Sequence, residues 1–259
     1  MTWVEPFYSE TGTWWGQAES DISQRDYARV ETVRRLTGRT GGCLLDLGSS
    51  YGNTAAAFAL TGWDVAGVEI SARIHFAEQH LQSVAGSPSA GSLTFVRGDF
   101  TTLGIEEPFD VITYWNGFGI GSDLDQRRLL DRIAGWLQPD GYLVMDVFNP
   151  TQWIGWAGDR SHRDAAPDLG YPYSVSEHTD YDPVTARFID TWRRDDSDAE
   201  ITQSQRCYSP ADLALLVEPT QLELLTIELD GEPIHTEAPA DDHRRLFTEH
   251  EYQALLRHR

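Results

Sequence analysis

Five short apolar runs rich in Val, Ile, Leu or aromatic residues recur at 43–47, 65–68, 93–96, 109–115 and 142–148, each bounded by turn residues. Longer segments with helical spacing lie between them. In SDLDQRRLLDRIAGWLQ, Leu130, Ile133, Ala134 and Leu137 share one face, Ser122 or Asp123 offers a cap, and Pro139-Asp140-Gly141 ends the run. Strand and helix in alternation predict a parallel sheet covered by helices on both faces.

Upstream, Tyr27, Val30, Val33 and Leu36 fall near one helix face, so the first element is read as a helix packed on that sheet. An aromatic segment with Trp3, Phe7, Tyr8, Trp14 and Trp15 precedes it. After Pro150 the pattern changes to alternation. YSVSEHTDYDPVTARFIDTWRRDD turns about Asp182-Pro183 and ITQSQRCYS alternates again, which predicts two or three antiparallel strands. A short helix (SPADLALLVE) and a strand (QLELLTIEL) follow, and the tail DDHRRLFTEHEYQALLRH reads as a surface helix with a solvated charged face. The expected organisation is an N-terminal aromatic lid and helix (1–37), a parallel-sheet core (38–150), an antiparallel β insertion (151–208), and a completing segment with a C-terminal helix (209–259).

Charge narrows the partners. Asp and Glu number 41 against 20 basic residues in 259, a formal charge of −21, and every basic residue is Arg. With no basic stripe to offset it, that charge repels nucleic acid and anionic membranes, and the absence of Lys removes Lys catalysis. No run approaches the length needed to span a bilayer, and the N-terminus lacks a basic stretch followed by an apolar one. Cys43 and Cys207 are isolated, which supports neither a disulfide framework nor a metal site. These features predict a cytoplasmic protein that acts on a small molecule, with a homo-oligomeric state left open. No Ser-His-Asp order, Walker loop or metal-ligand cluster offers another chemistry.

The chemistry concentrates in CLLDLGSSYGNTA. Asp46 ends the first predicted strand, Gly48 and Gly52 turn the chain around Ser49 and Ser50, and the helix starting near Asn53 presents unpaired N–H groups. Glu69, followed by Ile70, ends the second strand, where a carboxylate can accept from a ribose diol. Asp99, after the third, can accept from an exocyclic adenine amine while Phe100 covers the ring. Three acids at consecutive strand ends point to an adenosine-type ligand, and the spacing Gly48-Ser-Ser-Tyr-Gly52 departs from the G-x-G-x-x-G of dinucleotide sites.

These residues resemble the first motif, acid-x-Gly-x-Gly-x-Gly, of class I S-adenosylmethionine-dependent methyltransferases, with Ser50 where the middle Gly is usual. Glu69, Asp99-Phe100, FDVITYWN and LQPDGYLVMD resemble the later motifs of that family. The resemblance implies a Rossmann-like α/β fold with a mostly parallel seven-stranded sheet and S-adenosyl-L-methionine as cofactor. It extends, over about residues 5–232, to small-molecule N-methyltransferases of the glycine and antibiotic amino-sugar kind. YWNGFG and DVFNP resemble their segments after the fourth and fifth strands; Tyr8, Trp15 and Arg25 resemble N-terminal residues that cover the cofactor and pair with its carboxylate. By that likeness Tyr114 and Trp115 contact the cofactor, and Tyr8, Asn116 and Phe118 orient the acceptor. Phe148 stands where glycine-type enzymes carry a carboxylate-binding Arg, which implies a larger, less anionic acceptor held by aromatics. An amine of a specialised metabolite is the expected acceptor. O-methylation, and a protein that binds the cofactor without methylating, remain open. His162 and His178 are the histidines expected nearest the acceptor.

Overall fold

The five apolar runs become β1 (Cys43–Leu47), β2 (Asp64–Glu69), β3 (Leu93–Arg97), β4 (Phe109–Tyr114) and β5 (Leu137–Phe148) in a computed structural model that describes residues 2–106, 108–235 and 242–259. Neighbouring strands pair in parallel in the order β5-β4-β1-β2-β3. Burial on both faces explains the near-continuous apolar composition of the central strands. Leu45, Leu47 and Ile112 pack on one face against Leu130 and Ile133 of α5 (Asp123–Trp136), while Leu44, Val65 and Val111 pack on the other. There they meet Val30 and Val33 of α2 (Gln24–Thr37) and the alanines of α3 (Asn53–Leu60). α5 begins where expected, with a capping box between Ser122 and Asp125.

β10 (Leu222–Leu229), β11 (Glu232–Pro233) and β12 (Glu251–His258) complete the sheet in the order β11-β10-β12-β5, giving eight strands rather than seven. The extra one is the two-residue edge strand β11. The tail corrects a larger expectation. Instead of a surface helix it forms a short 3₁₀ turn (Asp242–Phe247) and then β12, inserted antiparallel between β10 and β5. EYQALLRH is made of good helix formers, but Tyr252, Leu255 and Leu256 are buried in the strand, each stabilising it by about 1.5–3 kcal/mol. Tertiary burial outweighs propensity differences of well under 1 kcal/mol per residue.

The aromatic N-terminus, expected as a lid ahead of the first helix, is itself a regular helix, α1 (Val4–Glu19). Gly12 and Gly16 weaken it locally but let it lie close on α4 (Ile74–Ala85): a Cβ on Gly16 would stand 2.4 Å from the Phe76 ring, and one on Gly12 2.8 Å from the Arg73 side chain. After β5 come α6 (Pro150–Gly155) and a separate antiparallel sheet, β6 (Arg160–Arg163), β7 (Val175–Asp182), β8 (Arg187–Arg194) and β9 (Glu200–Arg206), in sequential order. Its fourth strand, β6, is four largely exposed residues whose composition gives no strand signal. Arg206 N–H donates to the Gly119 carbonyl at 2.9 Å and Tyr208 N–H to that of Phe148 at 2.9 Å, which ties the end of β9 to the loops after β4 and β5. α7 (Pro210–Val217) then returns the chain to the main sheet. No described helix is long and apolar enough to cross a membrane.

Candidate functional site

A cavity of about 320 Å³ opens beyond the carboxyl ends of β1, β2, β3 and β4, the crevice where open α/β sheets bind ligands, and α1, α2 and the starts of α3 and α5 contribute its other walls. Asp46, Gly48, Ser49, Ser50, Glu69, Ile70, Asp99, Phe100, Tyr114, Trp115 and Asn116 line it from the strand ends, and Tyr8 and Arg25 from the helices.

The glycine loop is shaped by its own backbone demands. Gly48 has φ 64° and Ser50 φ 53°, both left-handed, and Glu69 fixes the turn: its Oε2 accepts from Ser50 N–H at 2.8 Å and its Oε1 from Ser71 N–H at 2.7 Å. The Ser50 hydroxyl accepts from Arg73 Nη1 at 3.2 Å. Ser50→Gly therefore relieves a left-handed strain of about 1–2 kcal/mol and loses one part-buried hydrogen bond of similar size. Its expected stability in urea lies within about 1 kcal/mol of wild type; a larger loss would show that the Arg73 contact matters more than the backbone.

Asp46 is 1% exposed and accepts from the Thr113 hydroxyl at 2.7 Å. Burial pushes its carboxyl up to about 7, against the opposing effects of Thr113 and Arg29. An unfolded Asp titrates near 4, so the folded chain holds a proton that the unfolded chain has released over this interval. The associated stability is full below about pH 4 and is lost as pH rises to about 7, at about 1.4 kcal/mol per pH unit. Urea titrations at about pH 5 and about pH 8 should show this fall, flattened in Asp46→Asn; an identical pH dependence in the variant would contradict it.

Two arginines missed in the sequence organise the walls. Arg29, with its side chain 15% exposed, lies 4.9 Å over the Trp115 ring, donates to Thr54 Oγ1 at 3.1 Å and faces Asp146 at 3.7 Å. Arg73 sits 5.0 Å over both the Tyr8 and Tyr51 rings, donates from Nη2 to Thr11 Oγ1 at 2.8 Å and from Nε to the Tyr8 carbonyl at 3.0 Å, and so latches α1 over the cavity. Neither fell in a recognisable motif; helical spacing from Arg25 to Arg29 was the available signal.

Asn116, left-handed at φ 56°, donates its backbone N–H to Asp146. With its amide oriented to satisfy both neighbours, the oxygen accepts from Arg29 Nη2 at 2.6 Å and the nitrogen donates to Glu251 Oε2 at 3.2 Å. Glu251, from the tail read as a surface helix, also faces Arg25 at 3.6 Å. Burial raises the pKa of both Asp146 and Glu251, each against the attraction of Arg29 and Arg25.

Three expected site residues lie outside the cavity. Phe118 is fully buried between Tyr114 and Tyr208, with ring centroids 6.5 and 5.5 Å away, because the turn at Asn116 sends the chain back beneath Tyr114 into the core. Trp15 packs on Trp192 of β8 at 5.2 Å and under Arg163 at 5.6 Å, about two helical turns from Tyr8. Gly52 caps α3, where a Cβ would stand 2.6 Å from both Ala77 and Phe95, so it serves packing. Phe148 joins Trp153 and Phe188 in a separate cluster rather than the cavity wall. Among the described residues no histidine lines the cavity. His162 instead pairs with Asp195 at 2.9 Å on the far sheet, and that hydrogen bond raises its pKa.

The cavity suits a polar cationic ligand. Ser49 Oγ, Tyr51 Oη and Trp115 Nε1 are buried on its lining without a hydrogen-bond partner. Glu19, Asp26, Asp46, Glu69, Asp99 and Asp125 face it against only Arg25, Arg29 and Arg73. A methyltransferase-domain family model matches residues 22–194. Among solved structures, the fold matches the CcbJ methyltransferase from Streptomyces caelestis at 18% identity over 91% of this chain and 90% of that one, with TM-score 0.69. It also matches an S-adenosylmethionine-dependent methyltransferase from Clostridium acetobutylicum ATCC 824 (13% identity, 92% of each chain, TM-score 0.67). A third is CalS10, an amino pentose methyltransferase from Micromonospora echinaspora involved in calicheamicin biosynthesis (18% identity, 89% of each chain, TM-score 0.57). No curated protein matches the sequence. The family match spans well over half of the chain, and the Rossmann-like sheet carries its acids at the ends of β1, β2 and β3: the chain belongs to the methyltransferase-domain family.

Proposed function

We propose that the protein methylates an amine on a small molecule, with S-adenosylmethionine as cofactor, and that the strand-end cavity is the site. The observation that carries this reading is the buried carboxylate of Glu69 between the glycine loop and β2, flanked by Ile70 and, on the next strand end, Asp99 and Phe100. Glu69 and Asp99 would hold the ribose and adenine edges, Ile70 and Phe100 the adenine faces, and Arg29 or Arg25 the terminal carboxylate. Ser49 and Tyr51 supply unpartnered polar groups where a methionyl chain would pass.

When bound, the cofactor supplies a methyl group on a positively charged sulfur. The chain contributes alignment and exclusion of water, and acidic walls that favour the charge. Burial drives the pKa of Tyr8 and Tyr114 well above the ordinary phenol range, so neither is a base at neutral pH. With no histidine lining the cavity among the described residues, an amine, which loses its proton to solvent before attack, suits the site better than a hydroxyl, whose proton removal by a positioned base typically contributes ~10²–10⁴-fold. An acceptor that carries an amine is also in keeping with the amino pentose methyltransferase among the similar folds.

The test is incubation of the protein with methyl-labelled cofactor and the small-molecule fraction of the host cell. The expected product is a small molecule carrying the label on nitrogen. Label on oxygen would replace the amine by a hydroxyl, and cofactor bound without any transfer would leave a non-methylating binding protein.

A further inference from the structure

We infer that α1 and the small sheet build a recognition site for the N–H donors of an amine acceptor, in which Asp190, Gln203 and Gln205 act as positioning residues for the Tyr8 hydroxyl. The inference rests on the amine-methyltransferase reading above. Tyr8 lines the cavity, and its hydroxyl reaches across to β9, where it donates to Gln203 Oε1 at 3.3 Å and accepts from Gln205 Nε2 at 3.1 Å. Gln205 Nε2 also donates to Gln203 Oε1 at 3.2 Å, and Gln203 Nε2 donates to Asp190 Oδ2 at 3.1 Å.

The direction of every bond follows from one residue. A carboxylate only accepts, so Asp190 fixes which end of the Gln203 amide faces it. The Gln203 oxygen must then face Tyr8 and Gln205, which spends the single phenolic proton inside the protein. What remains of the Tyr8 hydroxyl is acceptor capacity.

Two more acceptors sit in the same network, one of them on Asp190, which the Thr179 hydroxyl also approaches. Gln205 Oε1 and Asp190 Oδ1 are buried and make no well-formed hydrogen bond, on residues 2% and 4% exposed. Asp190 has no ion-pair partner among the described residues, although unpaired buried carboxylates are costly. The network adjoins the cavity through Ile120, which lines it and bridges to Gln205. With acceptor capacity left on the Tyr8 hydroxyl, an unpartnered Gln205 oxygen and an Asp190 carboxylate that no cation among the described residues faces, the network selects a ligand end rich in donors and positively charged. A protonated amine supplies both, a neutral amine supplies donors without charge, an alcohol supplies one donor and no charge, and a carboxylate supplies neither.

The test uses protein saturated with S-adenosylhomocysteine and titrated, by NMR, with cyclohexylamine and with cyclohexanol, which share a ring and differ in the head group. The expected wild-type result is tighter binding of the amine by about tenfold, the size of one hydrogen bond to a charged group. Asp190→Asn and Tyr8→Phe should each bring the ratio of the two affinities toward unity, and Asp190→Asn should do so while leaving S-adenosylhomocysteine affinity and the circular dichroism spectrum unchanged. A merely structural role would weaken both probes together. Equal binding of the two probes in wild type, no binding of the amine, or a ratio that Asp190→Asn leaves intact would overturn the inference. Failure of S-adenosylhomocysteine itself to bind would instead remove the methyltransferase reading on which it rests.

Discussion

Replacing Arg29 with Leu is expected to destabilise the protein by about 3–5 kcal/mol at slightly alkaline pH, the cost of breaking a buried ion pair by removing one partner. The guanidinium is the nearest cation to Asp146, which is 3% exposed, and it also serves Thr54, the Asn116 amide and the Trp115 ring. Without it, Asp146 keeps the desolvation that already raises its pKa and loses an attraction that lowers it. Its folded pKa therefore rises further. A raised folded pKa means stability present at low pH and lost as pH increases, so the deficit of Arg29→Leu should be smallest in mild acid and grow toward alkaline pH. Urea unfolding across that range checks both size and trend. A loss that is small and independent of pH would show that Asp146 does not depend on Arg29.

The second large effect is on the ligand. Glu69→Ala should weaken S-adenosylmethionine binding by roughly 1.5–3 kcal/mol, about ten- to a hundredfold, as expected for hydrogen bonds to a charged group. Part of the loss arises within the protein, because Ser50 and Ser71 N–H groups lose their acceptor and the glycine loop loses its clamp. Stability should fall with it, by about 1–3 kcal/mol for buried donors left unpaired. Glu69→Gln keeps one acceptor oxygen and should fall between the two. Calorimetric titration decides: unchanged affinity in a folded Glu69→Ala protein would remove Glu69 from the ligand site.

The parallel half of the fold was legible because β1 to β5 carry buried runs separated by capped amphipathic helices, a pattern with one physical solution. Asp46, Glu69 and Asp99 were legible for the same reason: strand ends in such a sheet converge on one crevice. The N- and C-terminal segments were not. α1 is interrupted by Gly12 and Gly16, whose purpose, close approach to Arg73 and Phe76, exists only in the folded protein. β12 is written in helix-forming residues and becomes a strand because the gap between β10 and β5 buries Tyr252 and Leu256. With that strand goes Glu251, which joins Arg25 and Asn116 from the other end of the chain. Arg29 and Arg73 looked like any surface arginine in a chain where every basic residue is Arg. Phe118 failed in the opposite direction, since nothing local announces that Asn116 turns left-handed and redirects the next two residues inward.

The most direct test is the structure of the complex with S-adenosylhomocysteine. The expected arrangement puts the ribose hydroxyls on Glu69, the adenine between Ile70 and Phe100 with its amine at Asp99, the terminal carboxylate toward Arg29 and Arg25, and the sulfur facing the space between Tyr8 and Asn116. A ligand bound outside the cavity, or bound within it with Glu69 making no contact to the ribose, would contradict the account.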